Sequence, residues 1–236
     1  MGPPESGARL GRPRAKPPEN EHVDPPEEIL LAAAKLFTTD GYASTTTRQI
    51  AEAAGLRQAS LFYYFPRKED IFAELLDRTV EPALEYADQI RGLAGPPSAA
   101  VRLYLLTAND LWNLLRPPGN LGLLQLQREA HVERFSDFWK KRARLAAEYD
   151  ALIEEGLRTG EFSVSDPEVV SPTICGVIES VCTWFDPDVH DMEQVRNAIG
   201  SVVLRAVSPD EKAVRKIIAE ADGLAQELDA APASAS

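Results

Sequence analysis

Residues 45–68 carry hydrogen-bond donors at a spacing that would place them on one face of a short helix. If Leu61 and Phe65 point into a core, five polar side chains remain around the exposed side of that helix: Arg57, Gln58, Ser60, Tyr63 and Tyr64. Guanidinium, amide, hydroxyl and phenol groups are donors that bind phosphate oxygens and base edges. The segment therefore predicts a nucleic-acid-binding surface.

Two short helices joined by a sharp turn would position this face. Thr45-Thr46-Thr47 supplies capping hydroxyls for the first helix, and Ala51 is small enough to lie where the two helices cross. Gly55 tolerates the positive φ that the turn needs. A longer helix is expected before them, beginning at the capping pair Asp24-Pro25 and ending at Gly41. Together these features favour a helix-turn-helix.

Charge is distributed unevenly along the chain. The formal net charge is −12, so binding to a polyanion must come from a local patch. Residues 44–68 hold four basic side chains against one acidic one, and residues 9–16 hold four basic side chains and no acidic one. Residues 1–23 contain almost no large apolar residues, which predicts a disordered basic arm that either enters an adjacent groove or only adds solubility.

The segment resembles the DNA-binding signature of the TetR family of bacterial transcriptional repressors. The resemblance rests on Arg48-Gln49-Ile50-Ala51, Leu61-Phe62-Tyr63-Tyr64-Phe65 and Lys68-Glu69-Asp70, and it covers about residues 27–76. It implies contacts with double-stranded operator DNA from Thr46, Thr47, Arg48, Arg57, Gln58, Ala59, Ser60, Tyr63, Tyr64 and Lys68. Residues 57–60 would read bases, while Tyr63, Tyr64 and Lys68 would bind phosphates. Phe62 stands where the family often has tyrosine, which removes one phosphate-binding hydroxyl.

The rest of the chain has helical periodicity and no segment of strand period, so we predict an all-α protein. Helices are expected at about 68–92, 98–115, 121–159, 166–185, 192–206 and 210–228. We divide the chain into a disordered basic arm at 1–23, a three-helix DNA-binding domain with the helix-turn-helix at 24–76, a helical ligand-binding and dimerisation domain at 77–228, and a disordered tail at 229–236. The helix at 68–92, which Pro82 is expected to kink or divide, would join both domains and act as a lever.

The resemblance further implies a homodimer and a pocket for a small-molecule effector of unknown identity. Such a pocket would use donor and aromatic side chains from Trp112, Gln125, His131, Phe135, Phe138, Trp139 and Trp184. Apolar positions at helical spacing that would face a partner subunit are Ile174, Val177, Ile178, Val181, Ile199, Val202 and Val203. Arg116, Arg128 and Arg134 are candidates for binding an anionic group. The expected function is a ligand-responsive transcriptional regulator, with a repressor favoured over an activator.

Two other classes of protein stay open at this point: a helical-bundle enzyme and a scaffold that binds only proteins. The sequence contains no Gly-rich phosphate loop and no G-x-S-x-G, H-E-x-x-H or paired Glu-x-x-His motif, which argues against the enzyme. Cys175 and Cys182 fit small apolar core positions better than a redox pair. We expect no cofactor, no metal and no membrane span, and a location in the cytosol.

Overall fold

The computed structural model describes residues 24–93, 95–115, 120–208 and 210–230. Over these residues the chain forms ten α-helices and three short 3-10 turns, without a β-strand, and this confirms the all-α class. The predicted arm at 1–23, Arg116, and residues 231–236 of the predicted tail lie outside the described residues. None of the helices in the described part of the chain is long and apolar enough to cross a bilayer.

Four helices form the N-terminal unit: α1 (Pro25–Thr39), α2 (Thr47–Ala53), α3 (Gln58–Tyr64) and α4 (Lys68–Asp77). Their core includes the fully buried side chains of Ile29, Phe37, Ile50, Leu61 and Phe72. Gly41 and Gly55 have φ values of +85° and +67°, so both glycines adopt the left-handed conformation expected of them. The helix-turn-helix predicted over 45–68 is therefore present, and Ala51 of its first helix is buried.

The capping interaction predicted for the start of α1 is absent. Asp24 precedes the helix in an extended conformation, but its side chain makes no capping hydrogen bond. A capping side chain bonds to the N–H of the second or third helical residue. Pro25 and Pro26 both lack an N–H, so the nearer of these two donors does not exist.

The predicted lever helix at 68–92 is divided into α4 and α5 (Glu81–Arg91), so the division expected at Pro82 is confirmed and a continuous lever is absent. Pro82 lies in the first turn of α5, where no helical hydrogen bond needs its missing N–H. In one continuous helix its ring would clash with the carbonyl of Arg78, so the helix cannot run through this position. Arg78, at the end of α4, forms a two-pronged ion pair with Glu27 of α1 at 2.9 and 2.7 Å. This ion pair joins the end of α4 to α1.

Five longer helices complete the fold: α6 (Ala99–Leu115), α7 (Ser136–Thr159), α8 (Pro167–Trp184), α9 (Met192–Val207) and α10 (Glu211–Ala230). Helix α6 lies at the centre, because it packs against α5, α7, α8, α9 and α10 and most of its residues are buried. A glycine allows the close approach of α6 to α9, since a Cβ added at Gly200 would lie 2.5 Å from the ring of Tyr104.

The single helix predicted over 121–159 is wrong in its first half. Residues 120–135, named the linking segment below, contain 3-10 turns at Leu121–Leu124, Arg128–His131 and Glu133–Phe135. Asn120 begins the segment in a left-handed conformation with φ of 30°. Gly122 packs so closely against α8 that an added Cβ would lie 2.2 Å from the Sγ atom of Cys182. The turn Leu121–Leu124 contacts α1, α4, α6 and α8, so tertiary packing overrides the local helical preference here.

Candidate nucleic-acid interface

The N-terminus of α2 is held by a complete capping box. The Oγ1 atom of Thr46 accepts a hydrogen bond from the backbone N–H of Gln49 at 3.2 Å, and the Oε1 atom of Gln49 accepts one from the N–H of Thr46 at 2.8 Å. Thr46 is therefore the N-cap that the resemblance implied. Thr47, the first residue of α2, accepts a hydrogen bond from the Nε2 atom of Gln58 at 3.0 Å. This bond joins the two helices at the surface predicted to meet DNA.

Helix α3 presents a polar and aromatic face. Tyr63 is 82% exposed, and its ring lies edge-on to that of Tyr64 with 5.0 Å between the centroids. Arg57, Gln58 and Ala59 are exposed at the start of the helix, and Ser60 is half-buried. On the opposite side Leu61 is completely buried, as the sequence predicts. The residues predicted to read bases and those predicted to bind phosphate thus lie at the two ends of one exposed face.

Three arginines lie in or next to the helix-turn-helix: Arg48 of α2, Arg57 before α3 and Arg67 before α4. All three are exposed, and none of them forms an ion pair with another described residue. Their guanidinium groups are therefore available to an external anion. An acidic protein with such a local patch binds polyanions at that patch and repels them elsewhere.

Lys68 has a different environment from these arginines. Its Nζ atom donates to the backbone carbonyls of Tyr42 and Thr45, both at 2.8 Å, and lies 4.0 Å from the centre of the Tyr42 ring. Burial lowers the pKa of this ammonium. Because an ammonium has three N–H donors, one donor remains for a phosphate. The main structural role of Lys68 is to fix the turn between α1 and α2.

The residues predicted to line an effector pocket are distributed over several environments. Trp112, Trp184 and His131 are exposed, and Phe135 and Phe138 are buried. Phe135 packs against Phe72 of α4 with ring centroids 5.2 Å apart, so it belongs to the contact between the two parts of the chain. The indole of Trp139 donates to the carbonyl of Ala130 at 2.7 Å. None of the seven lines the cavity of about 20 Å³ between α5, α6 and α7, which is bounded by Ala87, Ile90, Arg91, Arg102, Leu106, Glu148 and Leu152.

A buried polar network that the sequence did not reveal lies between α6, α7 and α8. Asp110 accepts a hydrogen bond from the hydroxyl of Tyr149 at 3.2 Å and pairs with Arg142 at 3.4 Å, and Arg142 also pairs with Glu179 at 2.5 Å. Complete burial raises the pKa of Asp110. Arg142 of this network and Arg102 of α6 are therefore arginines of the interior, whereas Arg128 and Arg134 are exposed.

Two buried polar side chains have no hydrogen-bond partner among the described residues. These are the Oγ1 atom of Thr107 on α6 and both amide atoms of Gln125 in the linking segment. Thr107 is fully buried and lies one helical turn before Asp110, on the same side of α6. Gln125 was predicted as a pocket residue, and its burial removes it from solvent. Unpaired buried groups of this kind are rare, and each calls for a physical reason.

The residues predicted to face a partner subunit divide into two groups. Ile174, Ile178, Val181 and Val203 are at most 1% exposed, so they pack inside one protomer and the interface prediction is wrong for them. Their positions on the inward side of α8 and α9 explain this, because the periodic stripe first serves the protomer's own core. Val177 and Ile199 are half-buried, while Val202 is 49% exposed.

The outward side of α8 is uncharged and made of small or apolar residues, and the same side of α9 adds one charged residue, Arg205, which pairs with Glu211 at 3.4 Å. The uncharged members of this side that are exposed or half-buried are Val169, Thr173, Gly176, Val177, Ser180, Thr183, Ala198, Val202 and Ala206. Gly176 lies in the middle of α8, where a Cβ would meet nothing within 4 Å. Glycine in the interior of a helix lowers helix stability, so its presence on an exposed face needs a reason outside the helix.

Comparison with known proteins agrees with this architecture in both halves of the chain. The family model for bacterial regulatory proteins of the tetR family matches residues 29–75, and the model for the tetracyclin repressor-like C-terminal domain matches residues 112–207. The first match spans the helix-turn-helix, and the second spans the linking segment together with α7, α8 and α9.

Individual relatives extend over most of the chain. The crystal structure of Mycobacterium smegmatis AmtR has a TM-score of 0.78 and 34% sequence identity, and covers 92% of this chain and 100% of that chain. The fatty acid metabolism regulator protein of Bacillus subtilis is 24% identical over 76% of this chain and 94% of its own length. The structure of AibR in complex with isovaleryl coenzyme A and operator DNA, at 18% identity and a TM-score of 0.63, shares the fold over 76% of this chain and 97% of that chain.

Proposed function

Since the chain belongs to the TetR family of bacterial regulatory proteins, we propose that it is a homodimeric repressor that a small-molecule effector releases from operator DNA. The family consists of transcriptional regulators and not of enzymes, and the same is true of this chain. One observation carries the proposal for the DNA-binding step. Helix α3 exposes a face of hydrogen-bond donors, and no other described part of the chain covers this face. We assign the regulator to the cytosol, where its operator lies.

We assign the ten predicted contacts to three roles on this surface. Thr47 and Arg48 meet the phosphate backbone at the N-terminus of α2, with Thr46 as the cap that orients them. The four residues that begin α3 read base edges in the major groove: Arg57, Gln58, Ala59 and Ser60. Tyr63, Tyr64 and the remaining donor of Lys68 bind phosphates on the far side of the groove. The boundary between the DNA-binding and effector domains is placed at the break that follows Asp77.

Titration onto DNA tests this proposal. The full chain is added to the labelled duplex from upstream of its own gene, with a scrambled duplex of equal length as the control and with stepped salt concentrations. The expected result is saturable, salt-sensitive binding that prefers the natural duplex and places two chains on each site. Equal affinity for natural and scrambled duplexes, together with no preferred sequence from a random library, would reject the proposed function.

The dimer is proposed to form through the outward side of α8 and α9. This side is uncharged along α8, carries the charge of Arg205 on α9, and contains the unexplained exposed glycine, Gly176. A two-fold axis through it would pack α8 and α9 against the same helices of a second copy, as a four-helix interface. Dimerisation would set two recognition helices about 34–36 Å apart, which is one turn of the DNA double helix.

The effector domain is proposed to recognise its ligand through polar groups of its interior. This revises the aromatic pocket expected from the sequence, because Trp112 and Trp184 are exposed. The unpartnered atoms of Thr107 and Gln125 support a small ligand with both donors and acceptors. A thermal-shift screen of small polar and acyl compounds tests this assignment: compounds that stabilise the wild type should lose their effect on Gln125→Leu. A compound that releases the operator equally well from both proteins would contradict it.

A further inference from the structure

A glutamine of the linking segment holds the turn that precedes the helix-turn-helix. The Oε1 atom of Gln127 accepts a hydrogen bond from the backbone N–H of Tyr42 at 2.9 Å, and its Nε2 atom donates to the carbonyl of Phe37 at 2.7 Å. Phe37 lies in the last turns of α1, and Tyr42 lies in the turn between α1 and α2. The oxygen and the nitrogen of the Gln127 amide therefore both bond to backbone groups of the DNA-binding domain, which lie 85 and 90 residues away along the chain.

The same turn is held from the other side by α4. The carbonyl of Tyr42 accepts a hydrogen bond from Lys68, which also binds the carbonyl of Thr45. Thr45 immediately precedes Thr46, the N-cap of α2. The backbone of Tyr42 is thus fixed at its N–H by the effector domain and at its carbonyl by a residue of the DNA-binding surface. Any displacement of Gln127 reaches the N-terminus of α2 through this residue.

The linking segment is also anchored inside the effector domain. The Nδ2 atom of Asn120 donates to the carbonyl of Cys182 at 2.7 Å, and Gly122 lies against the Sγ atom of the same cysteine. Cys182 belongs to α8, the helix proposed to form half of the dimer interface. Gln127 lies five residues after Gly122. Residues 120–127 of the segment therefore connect α8 to the turn before α2, by contacts at both ends of this stretch.

We propose that Gln127 is a positioning residue that couples the state of the effector domain to the orientation of the helix-turn-helix. Its amide transmits movement of the linking segment to Tyr42, and through Tyr42 to the cap of α2 and to Lys68. This inference rests on the proposed function, because it concerns how the two domains of a DNA-binding regulator communicate. It assigns the coupling to side-chain bonds with two discrete arrangements, formed or broken.

Gln127→Leu tests the proposal, because leucine keeps an apolar stem and removes both hydrogen bonds. Non-specific binding depends on phosphate electrostatics, and this change leaves the charge of the protein unaltered. Specific binding requires two recognition helices held at one spacing. We expect the affinity for the natural duplex to fall at least tenfold, while the affinity for scrambled duplex stays within twofold of wild type. Gln127→Met provides a second variant of different shape, and helix content by circular dichroism verifies folding of both.

Leu126→Ala is the matched control. Leu126 is the neighbour of Gln127 in the same segment, and its side chain is exposed. Its substitution shortens an apolar side chain and removes no side-chain hydrogen bond, so both DNA affinities should stay within twofold of wild type. If Leu126→Ala and Gln127→Leu lose specificity equally, the effect belongs to packing of the segment, and the assignment to Gln127 is refuted.

Hydrogen exchange gives a readout that a merely structural role would not move. By the reciprocity of coupling, operator binding to the wild type should change amide exchange in residues 120–127 and at the end of α8. In Gln127→Leu, at DNA concentrations that saturate the protein, this change should disappear. Its persistence at wild-type size would overturn the proposal. If the wild type fails to prefer the natural duplex over the scrambled one, the proposed function itself fails. If the wild type and Gln127→Leu both prefer the natural duplex to the same degree, the function stands and only the role of Gln127 is refuted.

Discussion

Substitution of Gly176 distinguishes the proposed interface from a surface that faces water, because it should destabilise the dimer in the first case and stabilise the fold in the second. On a helix that faces water, replacing an interior glycine with alanine or leucine stabilises the fold by about 0.5–1 kcal/mol. The added Cβ would touch nothing within 4 Å in the protomer, so no clash opposes this gain. For a chain of this size the gain corresponds to about 1–4 °C in Tm.

In the proposed dimer the same substitution is unfavourable. Inserting a leucine side chain into a close-packed interface costs about 1–3 kcal/mol, and a two-fold axis applies that cost at two sites. Gly176→Leu should therefore weaken dimerisation by about 2–6 kcal/mol, which is about 30-fold to more than 10⁴-fold in Kd. Sedimentation velocity over a dilution series measures this constant directly.

Gly223 supplies the control for Gly176. It is an exposed glycine inside α10, and an added Cβ there would also meet nothing within 4 Å. Gly223→Leu should therefore give the propensity gain without any loss of dimer. A Gly176→Leu protein that dimerises as tightly as wild type and melts at a higher temperature would refute the placement of the interface on α8.

Four further predictions concern the DNA surface and the buried groups. Tyr63→Phe should weaken binding to natural and scrambled duplexes by the same factor, whereas Gln58→Ala should change preference at particular base pairs; uniform losses from both variants would contradict these roles. Tyr149→Phe removes the hydroxyl that Asp110 accepts from, so urea unfolding should show a loss of about 1.5–3 kcal/mol. Burial raises the pKa of Asp110 in the folded state above its value in the unfolded chain. The contribution of this carboxyl to the free energy of unfolding is therefore fully present below the unfolded pKa and is lost as pH rises through the folded pKa. A free energy of unfolding that instead rises through this range would oppose the assignment. Burial raises the pKa of Cys175 to about 11, so about one thiol in 10³ is ionised at pH 8 and the native protein should react slowly with a disulfide reagent, while the unfolded chain reacts fast.

The helix-turn-helix was predictable because its determinants are local. Gly55 marks the turn by a conformation that other residues rarely adopt, and Thr46 and Gln49 lie three residues apart, as a capping box requires. Leu61 reveals the inward side of α3 by its spacing from Ile50 and Phe65. Signals of this kind act within about one helical turn, so the sequence displays them directly.

The linking segment could not be predicted for the opposite reason. Its residues are ordinary helix formers, yet Gly122 and Gln127 are committed to partners 60 and more residues away, Cys182 and Tyr42. The same holds for the pair of Asp110 and Arg142, which are 32 residues apart. A carboxylate within the apolar run of α6 was the one available signal for that network. Four of the seven predicted interface residues, Ile174, Ile178, Val181 and Val203, lie in the protomer's own core, because periodicity identifies an apolar side of a helix without telling whether that core or a partner subunit covers it.

Methylation interference on the natural operator tests the central claim most directly. Methyl groups at guanine N7 lie in the major groove, so they block binding only where a recognition element enters it. We predict two interfering clusters of equal size, separated by about 10–10.5 base pairs or a multiple of this spacing, which places one α3 helix of a dimer in each. A single cluster, or binding that no methylation in the major groove impedes, would contradict the assignment of α3 as the helix that reads DNA.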